Sequence, residues 1–221
     1  MTIHRPGRPG DLPAAELLWA RWALVAVLEA TTAAESRGVH RTGHWIDAGG
    51  LHLDDCGCTW WTLARMGRGR FVLYGEDESS AVKWHEPRVD MLAHGPDWLP
   101  HETLRELVGS WELGCVYWYE NGAWARAPYP DDLKDDGLDC GMSRFADRGE
   151  VLGLLAGHGR AAQELLEAAE AYRLAPQALD AVVAGAGDGD PDDDRDEPWD
   201  LPAMHRALRL AALTAESVPA P

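Results

Sequence analysis

From Asp11 onward the apolar residues fall at helical spacing: Leu17, Leu18, Leu24, Val25 and Leu28 form a stripe that Arg21 interrupts. The start carries an Asp cap, Pro13 in the first turn and Glu16 near the positive helix end. Ala-rich sequence extends the helix to Glu35, and Gly38 marks its stop. A helix with so wide an apolar face has to cover another element. Residues 1–10 are rich in Pro and Gly and read as a flexible lead.

After residue 43 the rhythm changes to that of strands. Candidates lie near 44–47, 51–54, 59–66, 70–75, 81–84, 115–119 and 123–127. Two pairs read as hairpins. Thr59–Met66 and Arg70–Tyr74 flank Gly67-Arg-Gly69, and Cys115–Tyr119 and Ala123–Arg126 flank Asn121-Gly122. The Asn-Gly pair is the stronger signal, because a tight hairpin needs positive φ at both central residues. A short helix from His101 to Val108 interrupts the strands, and residues 128–141 read as an acidic loop. Helical spacing returns at 147–156, 159–173 and 176–184. Residues 185–198 read as an acidic disordered segment, unable to bury enough apolar surface to order. A last helix over 199–217, opened by Asp200 and Pro202, packs back on the domain.

Strands grouped between helices predict an α+β fold: a long N-terminal helix packed on a Trp-rich antiparallel sheet, then a C-terminal set of helices. The expected core is a single domain over 11–184. Eight of the eleven tryptophans lie between Trp45 and Trp124, which makes the sheet the centre of that core.

Charge narrows the partners. The net charge is −17, and residues 131–221 supply twenty acids against eight bases. Nucleic-acid binders carry a basic footprint, and none is visible, so direct DNA or RNA binding is not expected. An acidic protein repels anionic membranes and draws basic partners. The N-terminus has no signal-peptide pattern, so the expected location is cytoplasmic, with the four cysteines reduced.

Motifs for chemistry are sparse. His52, Asp54, Asp55, Cys56 and Cys58 lie within seven residues, and Cys115 and Cys140 could complete a thiolate set for zinc. Cys-x-Cys is a poor spacing for a structural zinc site, and a free cysteine is commonly a small core residue. Lys83-Trp-His-Glu-Pro87 begins like a helical metalloprotease motif but has Val89 where the second histidine belongs. Asp188-x-Asp190-x-Asp192 lacks the glycine and glutamate of a calcium loop. No glycine-rich phosphate loop or nucleophile elbow is present.

The remaining candidate is aromatic. Trp111, Tyr117, Trp118, Tyr119, Trp124 and Tyr129, beside Asp131, Asp132, Asp135 and Asp136, would make an acid-rimmed aromatic face. The expected function is therefore a non-enzymatic acidic binding protein that engages a basic protein partner, in the manner of immunity or antitoxin-type proteins, with no cofactor. The alternatives are a metal-dependent enzyme or zinc-binding protein built on His52, Asp54, Asp55, Cys56 and Cys58, and a small-ligand sensor with a Trp-lined pocket.

Overall fold

Asn121 and Gly122 adopt φ of 55° and 81°, the pair of left-handed residues that a two-residue hairpin demands. They join β5 (Cys115–Glu120) to β6 (Ala123–Arg126) with Tyr119 opposite Trp124. The computed structural model describes residues 2–158, 160–185 and 199–215. The acidic run over 186–198 and the last residues of the expected 199–217 helix lie outside the described residues.

Four further strands complete the sheet: β1 (Gly43–Asp47), β2 (Gly50–Asp54), β3 (Thr59–Gly67) and β4 (Arg70–Asp77). Their order is sequential from β1 to β6, an antiparallel meander. With helices before and after it, the fold is α+β with an N-terminal helix, as the pattern predicted. No helix among the described residues is long and apolar enough to cross a membrane.

The chain divides into two compact units. The first comprises Met1–Leu18 with His52–Asp147, the second Trp19–Leu51 with Arg148–Pro221.

In the first unit both faces of the sheet are covered. On one, Val72, Val116 and Trp118 pack with Val82, Val89, Met91, Leu99 and Leu104, which come from the segment between β4 and β5. That segment holds α3 (His101–Gly109). Residues 81–84, expected to be a strand, are mostly turn, because Val82 is drawn into this cluster rather than paired in a ladder.

The opposite face takes Trp61 and Tyr117, both fully buried. It is covered in part by α4 (Leu138–Ala146), a helix whose first turn lies inside the stretch expected to be an acidic loop. Its N-cap is Gly137 at φ 77° with no side-chain cap, so the usual start signal is missing.

The lead expected to be flexible makes a dense set of bonds. Gly7 N–H donates to Asp136 (2.8 Å), and Gly7 C=O accepts from Tyr117 Oη (2.9 Å) and Arg126 Nε (3.1 Å). Asp11 accepts from the backbone N–H of His4 and Arg8, which takes it out of helix capping. These bonds, with the other contacts to Asp11, hold its carboxyl below the usual range, against the upward push of its burial.

The expected Asp11–Glu35 helix is shorter and divided. It runs as α1 (Ala15–Leu28) and a single turn, α2 (Thr32–Glu35). Thr31 ends the continuity by capping α2, its hydroxyl accepting from Ala34 N–H at 3.0 Å.

In the second unit every residue of α1 from Trp19 to Leu28 is buried, so this stretch is apolar-packed all round rather than striped. Arg21 is accommodated by Glu170, at 2.8 Å, which also pairs with Arg148. Among the described residues α5 (Arg148–Leu154), α6 (Ala161–Glu170), α7 (Pro176–Gly185) and α8 (Leu201–Ala211) follow. Asp200 caps α8 through Ala203 N–H at 2.9 Å, as its position predicted. The helix packs against α7 and β1.

Candidate functional site

α3 ends in a Schellman motif, with Glu112 N–H donating to Leu107 C=O (3.0 Å) and Trp111 N–H to Val108 C=O (3.4 Å). The left-handed residue that closes this motif is normally glycine. Here it is Trp111, at φ 64°. For a bulky L-residue that conformation costs about 1–2 kcal/mol. The indole is 46% exposed, so core packing does not explain the choice.

Trp111 stacks on Trp84, ring centroids 5.3 Å apart and planes 25° off parallel. Trp84 is 66% exposed. Two cations steady the pair. The Arg88 guanidinium lies 4.5 Å from the centroid of the Trp111 ring and donates to Val108 C=O at 2.8 Å. Lys83 Nζ donates to Trp111 C=O at 3.0 Å and pairs with Glu76. Both cations sit at the negative end of α3, where the helix dipole favours them.

Beside the stack opens a groove of about 620 Å³. Trp60, Leu107 and Trp111 give it apolar surface, and Glu76, Glu78 and Glu112 give it charge. Cys58 lies at its edge, and the carboxylate of Glu78 pushes that thiol's pKa up.

The loop that carries Trp84 is tied down through His85. Its Nδ1 bonds Pro87 C=O at 2.9 Å, and its Nε2 bonds Asp132 at 3.0 Å. A carbonyl and a carboxylate both accept, so the geometry wants both ring nitrogens protonated. The Pro87 carbonyl first, then Asp132, raise the His85 pKa above 6.5, and His85 lowers that of Asp132 below 3.8. The histidine's contribution to stability is full below pH 6.5 and is lost as pH rises through its raised pKa. The aspartate's contribution is present above pH 3.8 and is lost as pH falls through its lowered one. The clamp is therefore complete between these values. Replacing Asp132 with Asn is expected to lower the His85 titration midpoint measured by NMR. A midpoint at or below 6.5 in the wild type would contradict the clamp.

The aromatic face expected from sequence is mostly interior. Tyr117, Trp118, Tyr119 and Trp124 are all buried. The reason is that β5 is covered on both sides, so neither parity of its aromatics reaches solvent. Trp124 Nε1 donates to Pro13 C=O at 2.7 Å, and Tyr119 tilts against Trp124. Tyr129 is half-buried beneath the Arg126 guanidinium, 3.7 Å from its ring centroid. Trp111 alone of the six is exposed.

The acids divide in the same way. Asp136 is buried and accepts from Tyr117 Oη at 2.6 Å. Asp135 is half-buried and accepts from Gly137 N–H at 2.8 Å. Asp131 and Asp132 are exposed.

The zinc alternative is not assembled. Asp54 accepts from the N–H groups of Cys56 and Gly57, and Asp55 from that of Thr59, so both carboxylates shape their own loop. Cys56 and Cys58 are exposed, Cys115 is fully buried, and Cys140 meets Ser79 Oγ at 3.7 Å. His52 bonds Thr62 Oγ1 at 3.1 Å. Among the described residues no group of three or more His, Cys, Asp or Glu side chains could hold a metal ion. Burial raises the Cys115 pKa well above the usual thiol value and that of Cys140 to about 11, far from an activated nucleophile.

Trp84, Glu76, Glu78 and Glu112 were not among the binding residues expected from sequence, where Glu76-Asp77-Glu78 read as a solvated hairpin end. A signal for Trp84 was present: although 81–84 reads as a strand, Trp84 sits between Lys83 and His85 and two residues before Glu86-Pro87, where a strand has to end. Such a tryptophan has no obvious core to join. No family model matches the chain, and neither a curated protein nor a solved structure shows similarity to it, so a reading of function rests on this site alone.

Proposed function

We propose that the chain is a non-enzymatic binding protein that engages a basic protein partner through Trp84, Trp111 and the acidic groove beside them. The observation that carries this reading is the exposed tryptophan stack. A pair of indoles at the surface, one held in a strained backbone conformation, is expensive to keep unless it does something there. Tryptophans dominate the energetics of protein interfaces. The net charge of −17 would speed encounter with a basic partner, and the aromatics would hold it once docked. Asp131 and Asp132 remain surface acids that could contribute to encounter.

The test uses a display library of random peptides, selected on the full chain. Peptides retained by the wild type but not by the Trp84→Ala/Trp111→Gly double variant are expected to be basic, with association that slows as salt rises. Recovery of peptides that the double variant holds equally well, or that carry no net positive charge, would count against this reading.

Trp111→Gly is an informative single change. It relieves about 1–2 kcal/mol of backbone strain. It also removes a ring pair worth about 0.5–1.5 kcal/mol and a cation contact worth about 0.5–1 kcal/mol. The sum is close to zero, so the melting temperature should move by no more than a few degrees while binding is lost. A residue kept for folding would show the opposite pattern.

A further inference from the structure

We infer that the groove between Trp60 and Trp111 is a receptor for an arginine side chain presented by the partner. This deepens the binding reading and rests on it. The groove is large enough for a side chain at about 620 Å³, and its lining is mixed. Charge selects a cation: three carboxylates, Glu76, Glu78 and Glu112, face one ammonium, Lys83. That ammonium is already engaged by Glu76 and by Trp111 C=O. Glu78 and Glu112 are therefore left in excess, and both are exposed, one just past β4 and the other past the end of α3, rather than used in the core.

Shape and softness select arginine among cations. A guanidinium is planar, stacks on indole faces and is weakly hydrated, so it enters a half-apolar groove more readily than an ammonium does. Its fork of N–H donors can satisfy one or both glutamates, whereas lysine offers a point charge. The same excess of carboxylate turns away phosphate and carboxylate ligands. Arg88 shows that the Trp111 indole accepts a guanidinium within the chain itself, at 4.5 Å from the ring centroid.

The experiment titrates the full chain with N-acetylarginine amide and follows the indole N–H resonances of Trp60 and Trp111 by NMR. Saturable shifts at both are expected, with an affinity of about 1–10 mM for so small a ligand. N-acetylcitrulline amide, the same shape without the charge, should bind at least about tenfold more weakly. N-acetyllysine amide should also be weaker. Glu78→Gln with Glu112→Gln should reduce the affinity by about tenfold, and Glu102→Gln, at an exposed acid outside the groove lining, should leave it unchanged. Equal binding of the citrulline compound, equal binding of the lysine compound, or no saturable shift at Trp60 and Trp111 would each overturn the inference. The two readings fail separately. If basic peptides bind through Trp84 and Trp111 with no need for arginine, the receptor falls and the binding surface stands. If blocked arginine fills the groove but no selected peptide depends on the tryptophans, the receptor stands and the protein-partner reading falls.

Discussion

Replacing Asp136 with leucine is expected to lower the melting temperature by about 10 °C, the largest loss from any single acid in the 131–136 run. Asp136 is 1% exposed. Its two oxygens accept from Gly7 N–H at 2.8 Å and from Tyr117 Oη at 2.6 Å, with Leu138 N–H at 3.4 Å. Leucine fills the volume but leaves the two close donors buried with less to bond. The orphaned Gly7 N–H costs about 1–3 kcal/mol, and the tyrosine hydroxyl, which keeps Gly7 C=O, loses a bond to a carboxylate worth about 1.5–3 kcal/mol. A total near 4 kcal/mol at about 2–4 °C per kcal/mol gives the expected shift for a chain of this size. Asp131→Leu, at an exposed position, should leave the midpoint within a degree or two. If thermal melts followed by circular dichroism show the two variants alike, Asp136 does not anchor the lead. The consequence for function is direct. Reversing all four acids together would unfold the first unit and mimic a binding defect, so a test of electrostatic encounter has to use Asp131, Glu78 and Glu112 instead.

Asp136 also shows where sequence reading stops. In a run of four aspartates within six residues, each one reads as solvated. Its bonding partner Gly7 is 129 positions away, and nothing local marks which of the four turns inward. The pairing of Arg21 with Glu170 has the same character over 149 positions. Local signals fared better. Asn121-Gly122 stated its turn type, Asp200 its cap, and the β-prone residues of β3 to β6 their strands, because each depends on backbone preferences within a few residues. For β5 the covering of both faces was legible in hindsight. Cys115-Val-Tyr-Trp-Tyr119 is apolar at both parities, the pattern of a strand buried on two sides. The candidate site was the least legible part. Trp84 and Trp111 are 27 positions apart, and only the folded segment between β4 and β5 brings their rings together. Tryptophan content alone pointed to the strands, where indoles pack, and not to the loop and helix end, where these two are exposed.

Replacing Gly141 with alanine separates two opposing effects of known size. Gly141 lies inside α4, where alanine would gain about 1 kcal/mol in helix propensity. A β-carbon built there would stand 2.1 Å from Trp61 Nε1 and 2.2 Å from Cδ1. Trp61 is fully buried, held on β3 under the helix, and cannot swing away as a surface side chain would. Overpacking of this kind costs about 1–3 kcal/mol and more where the neighbour is rigid. The clash should therefore outweigh the propensity gain, with a net loss of about 2 kcal/mol or more in denaturant unfolding. Valine at the same position should cost more, because it adds bulk and loses the propensity gain. The decisive measurement is a double-mutant cycle with Trp61→Leu. Removing the indole makes room for the new methyl, so the alanine should be neutral or stabilising in that background, giving a coupling of about 2 kcal/mol between the two sites. Additive losses would mean that Gly141 is needed for some reason other than the approach of Trp61. The same cycle tests the placement of α4 itself, the helix that the Asp- and Gly-rich stretch before it disguised as loop.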